Sequence, residues 1–164
     1  MSIKILVNEI EKNTEETSAF SLKNIYKKDA DIIIVNGFPI KEDMTLKDGD
    51  KITFIKRGEI PKKEELEALM SSRHTPKVHE KLKKGRIAIA GAGGLGSNVA
   101  ISLARIGVGY IKVIDFDIVE PSNLNRQQYF INQIGMKKVD ALKDNIKEIN
   151  PFIDFEAIDT LITE

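Results

Sequence analysis

The sequence predicts an α/β fold in which a parallel βαβ unit follows a small α+β roll. Three observations carry that prediction. A glycine-rich turn, Gly91-Ala92-Gly93-Gly94-Leu95-Gly96, stands between a short apolar run and a stretch of helical periodicity. Tyr110-Ile111-Lys112-Val113-Ile114-Asp115 then reads as a second strand, and a strand-helix-strand unit of this length implies parallel strands with a right-handed crossover. Upstream, strands, one helix and more strands follow one another within about 60 residues, as in a compact α+β roll.

The first zone is residues 1–58. Ile3-Lys4-Ile5-Leu6-Val7 reads as a strand, and Ser18 to Lys28 as a short helix with Phe20, Ile25 and Tyr26 as its apolar contacts. The β-branched run Ile32-Ile33-Ile34-Val35 stops at Asn36-Gly37, a hairpin signal. Lys47-Asp48-Gly49-Asp50 is another turn, feeding the alternating strand Lys51-Ile52-Thr53-Phe54-Ile55.

The second zone, 59–84, reads as a linker with a charged helix. Leu66, Leu69 and Met70 give that helix one apolar edge. Lys81, Lys83, Lys84 and Arg86 form a basic cluster that reads as a solvated flank before a buried strand. His74 and His79 are five residues apart, a spacing that does not put both on one helical face, so no metal site is expected there.

The third zone is 85–164. Arg86-Ile87-Ala88-Ile89-Ala90 reads as a buried strand before the turn. The helix after the turn carries Leu95, Val99, Leu103 and Ile106 near the helical period, and Ala100 and Ala104 can let it lie close to a sheet. It is expected to stop around Gly107. A second helix is expected from about Lys138 to Ile149, before Asn150-Pro151, and a third strand within Phe152 to Ile158.

Composition narrows the function. Lys+Arg and Asp+Glu are equal at 25 each, so no global charge steers the chain to nucleic acid or an anionic membrane. Any anion must be held by a local site. The chain has no cysteine, which excludes disulfides, an all-cysteine zinc site and any thioester or persulfide relayed through it. That fits a reducing cytoplasm. No apolar run reaches the roughly 18 residues of a membrane span.

The turn supplies the chemistry. Glycines at 91, 93 and 96 allow a tight reversal and a close approach of backbone to phosphate. The following helix start offers free N–H groups and a partial positive charge to an anion. Asp115, 19 residues after Gly96, ends the second strand, where a carboxylate can accept hydrogen bonds from a ribose diol. These features alone also describe an NAD-binding Rossmann domain. The segment Asp115-Phe116-Asp117-Ile118-Val119-Glu120-Pro121-Ser122-Asn123-Leu124-Asn125-Arg126-Gln127 favours another nucleotide. Arg126 offers a planar fork of donors suited to phosphate oxygens, Asn123 and Gln127 add neutral donors, and Lys138 follows twelve residues after Arg126. Two cations beside a glycine-rich anion site suit a triphosphate better than a dinucleotide's diphosphate.

GAGGLG, DFDIVEPSNLNRQ, IGMKK and INP together resemble the adenylating domain of the ThiF, MoeB and ubiquitin-activating enzyme family, over residues 85 to about 153. GSNVAISLARIGVG and NRQQYFINQIGMKK look closest to ThiF-like proteins of thiamin biosynthesis. Residues 1–58 resemble the β-grasp, ubiquitin-like fold of the sulfur carrier ThiS. A working carrier of that kind ends in a free Gly-Gly carboxylate, whereas here the chain continues through Arg57-Gly58-Glu59. The resemblance therefore implies a β-grasp accessory domain at 1–58, a helical linker at 59–84, and at 85–164 the N-terminal part of a Rossmann-like adenylation domain.

The activity so implied is ATP-dependent adenylation of the C-terminal carboxylate of a ThiS-like sulfur carrier. By resemblance, Gly91, Gly93, Gly94 and Gly96 line the nucleotide turn and Asp115 takes the ribose. Arg126 and Lys138 bind the phosphates, with Lys138 nearest the α-phosphate. Asp117, Asn123 and Gln127 shape the pocket. The family often supplies an arginine from a partner subunit's N-terminal helix, and Arg73 is the candidate here. Members are usually dimers, so a homodimer is expected. The family's magnesium-binding aspartate belongs to a later strand, beyond Glu164, so Mg2+ would be held by a residue outside this sequence, and the chain reads as a fragment of a longer protein or one piece completed by another. The competing functions are an NAD-dependent oxidoreductase, whose affinity would depend on Asp115 and not Arg126, and a non-catalytic carrier-binding module with no nucleotide requirement.

Overall fold

The computed structural model describes residues 2–72 and 76–162 and divides into two compact units, Met1–Arg73 and His74–Glu164. The first contains β1 (Ile3–Val7), β2 (Ile10–Thr14), α1 (Ala19–Tyr26), β3 (Ile32–Val35), β4 (Phe38–Ile40), β5 (Lys51–Ile55) and α2 (Lys63–Ser71). Its five strands form one sheet in the order β2-β1-β5-β3-β4. The central pair, β1 and β5, is parallel, and the flanking pairs are antiparallel. This is the β-grasp arrangement expected of the first zone.

Local chemistry explains these elements. Asn36 and Gly37 have φ of 50° and 88°, the pair of positive values that a two-residue hairpin needs to match strand twist. They set Val35 opposite Phe38. Alternate residues of β1, β3 and β5 point inward, so Ile5, Val7, Ile33, Val35, Ile52 and Phe54 build the core with Leu22 and Leu46. Ser18 caps α1, its hydroxyl accepting the Ser21 N–H at 3.0 Å. The Asp43 carboxylate accepts from the Ser18 hydroxyl and the Phe20 N–H, and these bonds hold it below the usual carboxylate range.

That anchoring fixes the rotation of α1 and corrects its expected contacts. Ala19 and Leu22 are buried, whereas Phe20, Ile25 and Tyr26 are exposed. The sheet supplies most of the core volume and leaves the helix room for one small and one branched side chain. Strand β2 was not evident in the sequence because Ile10-Glu11-Lys12-Asn13-Thr14 is polar and lies at the sheet edge.

The second unit contains α3 (Pro76–Lys83), β6 (Arg86–Ala90), α4 (Gly94–Ile106), β7 (Tyr110–Ile114), α5 (Lys138–Ile149) and β8 (Asp154–Ile158), with short 3-10 turns at Pro121–Asn123 and Ile131–Gln133. Its sheet is parallel in the order β6-β7-β8, with Ile87, Ile111 and Phe155 in register. Helices α4 and α5 pack on each other and on this sheet. The core between them is Ala100, Ile101, Ala104, Ile111, Val113, Val139, Leu142 and Ile146. Helix α3, not foreseen as a separate element, leads into β6.

Helix α4 ends at Gly107, φ 83°, as expected, and α5 occupies the expected residues. The buried face of α4 is a correction. Ser97, Ala100, Ile101 and Ala104 face inward. Leu95 is 86% exposed, and Val99 and Ile106 also face outward. Small residues face the sheet and α5 because both approach the helix closely. The bulkier residues are displaced to the opposite side, with Leu103 at its margin.

Candidate functional site: a glycine turn with two converging cations

The turn between β6 and α4 is shaped by two glycines. Gly91 has φ 90°, a left-handed conformation that favours glycine. A Cβ on Gly96 would sit 1.8 Å from the Gly91 carbonyl oxygen, so α4 can start this close to β6 only with glycine there. Gly93 is different: a Cβ there would meet nothing within 4 Å. Space is left over the turn where the first N–H groups of α4 face outward, unpaired within the helix.

Asp115, at the end of β7, braces this turn from behind. Its Oδ2 accepts the Ala92 N–H at 2.6 Å, and its Oδ1 accepts the Asp117 N–H at 2.8 Å. It is 8% exposed. The Tyr129 hydroxyl donates to the Ala92 carbonyl at 2.7 Å. Burial, reinforced by the nearby charges of Asp115 and Asp117, pushes this phenol far above its ordinary range, so it remains a donor.

Beyond the turn, the chain folds back over α4. Pro121–Asn123 is a 3-10 turn in which Asn123 Oδ1 accepts the Glu120 N–H at 3.0 Å. This turn delivers Arg126 beside Gly94, whose Cβ would lie 3.8 Å from the arginine Cδ. The guanidinium is held by neutral acceptors, Ser122 O at 3.1 Å and Asn125 Oδ1 at 2.9 Å. Lys138 opens α5. Its Nζ pairs with Asp117 Oδ2 at 2.8 Å, and its backbone N–H bonds the Asp117 carbonyl. The Lys138 side chain is only 7% exposed.

Two adjoining cavities collect these groups. One, of about 590 Å³, is lined by Ala90, Gly91, Gly93, Gly94, Leu95, Gly96 and Arg126. The other, of about 420 Å³, includes Asp117, Glu120, Asn123, Gln127 and Lys138. Gly93, Gly94 and Arg126 line both, so the two adjoin at the turn. Gln127 Oε1 is buried with no hydrogen-bond partner among the described residues. Gly91, Gly93, Gly94, Gly96, Asp117, Asn123, Arg126, Gln127 and Lys138 thus meet in one place. Asp115 lines neither cavity, and Arg73 lies outside the described residues.

Sequence reasoning missed Ser97, Asn98, Gln128 and Tyr129. Ser97 is buried and accepts the Gln128 N–H. A tyrosine in a polar stretch is a weak signal of burial. Asn98 and Gln128 carried no signal, because their roles depend on α4 meeting the Arg126 loop.

A helix N-terminus, an arginine and a buried lysine beside one another offer donors and positive charge of the kind that suit an anion. The same pattern marks a family: residues 67–164 match the model described as ThiF family, and residues 3–58 match that of ThiS-like ubiquitin. The chain belongs to the ThiF family. This ThiF-family chain is 39% identical over 85 residues to ubiquitin-like modifier-activating enzyme 5 of Caenorhabditis elegans, covering 52% of this chain and 20% of that protein. It is 45% identical over 82 residues to a probable molybdopterin-synthase adenylyltransferase of Porphyra purpurea, covering 49% and 22%. It also resembles the solved structure of Escherichia coli tRNA N6-threonylcarbamoyladenosine dehydratase in complex with ATP. The TM-score there is 0.55 at 32% identity, over 57% of this chain and 39% of that one. The chain spans about a fifth of the length of the curated relatives it matches.

Proposed function

We propose that this chain carries the ATP site of an adenylyltransferase that activates the C-terminal carboxylate of a ubiquitin-like sulfur carrier, with a ThiS-like carrier as substrate. The observation that carries the reading is the meeting of Arg126 and Lys138 with Gly93 and Gly94 of the glycine turn in one cavity. Family membership and the ATP-bound neighbour support it. The ThiS-like match of residues 3–58 supports a carrier of that fold as partner.

The reaction joins two anions. A carboxylate oxygen attacks the α-phosphorus, the bond to the bridging oxygen breaks, and pyrophosphate leaves with the electron pair, giving an acyl-adenylate. Proteins assist such a step by positioning and by offsetting charge on the phosphates. Arg126 supplies a fork of donors for non-bridging oxygens. Lys138 supplies a compact charge held in place by Asp117. The α4 N-terminus supplies N–H groups beside Gly93, whose Cβ position is open, with the Arg126 side chain next to Gly94. Asp115 maintains the turn through Ala92 and retains acceptor capacity toward a ribose hydroxyl. A divalent cation such as Mg2+ would supply further neutralisation of the triphosphate, held by a carboxylate outside this sequence.

The test is isotope exchange between pyrophosphate and ATP, with a ThiS-like carrier ending in Gly-Gly. Exchange that requires both Mg2+ and the free carrier carboxylate is expected. Exchange that persists when the carboxylate is blocked as an amide would refute the reading.

A further inference from the structure

We propose that Asn98 is a positioning residue for Arg126, fixing the arginine's backbone to the glycine turn through an amide ladder that continues to α5. The inference rests on the reading of Arg126 as a phosphate ligand. Arg126 has few constraints of its own: among the described residues its guanidinium bonds within its own loop, to Ser122 and Asn125. Its position over the turn must therefore be set at the main chain. Asn98 does this directly. Its Nδ2 donates to the Arg126 carbonyl at 3.0 Å and to the Gly94 carbonyl at 2.6 Å. One amide group thus clamps the phosphate-facing turn to the residue that faces it.

The amide is itself oriented. Asn98 Oδ1 accepts from Gln128 Nε2 at 2.7 Å, and the Gln128 N–H reaches Ser97 Oγ at 3.2 Å. With the oxygen so engaged, the nitrogen must face the two carbonyls. The ladder continues through the Gln128 carbonyl, which accepts from Asn145 Nδ2 at 2.8 Å. Asn145 is 8% exposed on α5 and is tied in turn to Gln133. Helix α5 begins with Lys138. The same ladder therefore relates the two cations to each other and to the turn, using neutral groups that add no charge beside the phosphates.

Helix stability does not account for Asn98. Asparagine is a poorer helix former than alanine, and bonding back to the carbonyl four residues earlier favours no helix interior. Asn98→Ala should leave α4 intact and remove only the clamp.

The experiment uses the whole chain and two ligands, Mg-ATP by calorimetry and adenosine by NMR shift titration. Asn98→Ala is expected to weaken ATP about five- to tenfold, the worth of about one net hydrogen bond or slightly more. It should leave adenosine affinity and the melting temperature unchanged. Added to Arg126→Ala, it should change ATP affinity less than about twofold, because the residue it positions is gone. Gln128→Ala, an exposed site, should give a smaller loss with the same selectivity for ATP. Equal losses for ATP and adenosine, a full effect in the Arg126→Ala background, or no loss at all would each overturn the proposal. A wild-type chain that fails to bind ATP would instead overturn the adenylation reading, and the positioning claim with it.

Discussion

Gly96 shows how narrow the margin is at single residues. Its missing side chain lets the Gly91 carbonyl approach to a distance no Cβ tolerates. The obstacle is backbone at the junction of β6 and α4, so relief requires α4 to shift away from the sheet. Gly96→Ala is expected to destabilise the chain by about 3 kcal/mol, the upper range for overpacking, seen as a lower thermal midpoint in calorimetry. A melting curve matching wild type would contradict the geometry. The sequence made these glycines legible because a glycine's role follows from local backbone shape. It also pointed to Arg126, Gln127 and Lys138 by residue type and order. It did not show that Lys138 would be sheathed and paired with Asp117, or that Asp115 would also brace the turn through the Ala92 N–H. Those facts depend on which side chains the fold leaves facing each other.

Among elements, α4 is the instructive case. The sequence shows apolar residues around most of its circumference, so periodicity alone does not identify the buried stripe. Close packing decides: alanine and serine go inward, and Leu95, Val99 and Ile106 go outward. The outer face of the parallel sheet follows another logic. Arg86 lies over the Tyr110 ring at 3.7 Å, Tyr110 bonds Glu156, and Lys112 pairs with Glu156 at 3.1 Å. The Tyr110 hydroxyl, and then Lys112, hold the Glu156 carboxyl below its ordinary range. A carboxyl lowered in the folded state contributes stability above its unfolded value, and that contribution fades as pH falls through the folded value. Between about pH 5 and 3, Glu156→Gln should therefore lose thermal stability less steeply than wild type. Parallel slopes would show that the ladder contributes nothing. Cross-strand register made this network, and register was only partly legible from the strand limits.

At the scale of the whole molecule, the chain is two units with separate cores that share no residue. Each architecture was legible, the first from its hairpin and turn signals, the second from a strand, a glycine turn and a helix in sequence. The described residues of the site lie in the second unit, and its elements serve one end: the carboxyl ends of β6 and β7 present the turn, and the connection from β7 to α5 brings back the two cations. Such a placement at the strand ends is where open parallel sheets hold ligands. No helix among the described residues is long and apolar enough to cross a membrane. The central claim is that this arrangement binds a triphosphate through Arg126. The most direct measurement is a calorimetric titration of the chain with Mg-ATP, with NAD as the comparison ligand, beside Arg126→Ala. The account predicts ATP binding that Arg126→Ala weakens about ten- to a hundredfold, the worth of charge-assisted hydrogen bonds. NAD binding indifferent to Arg126→Ala, with no affinity for ATP, would contradict it.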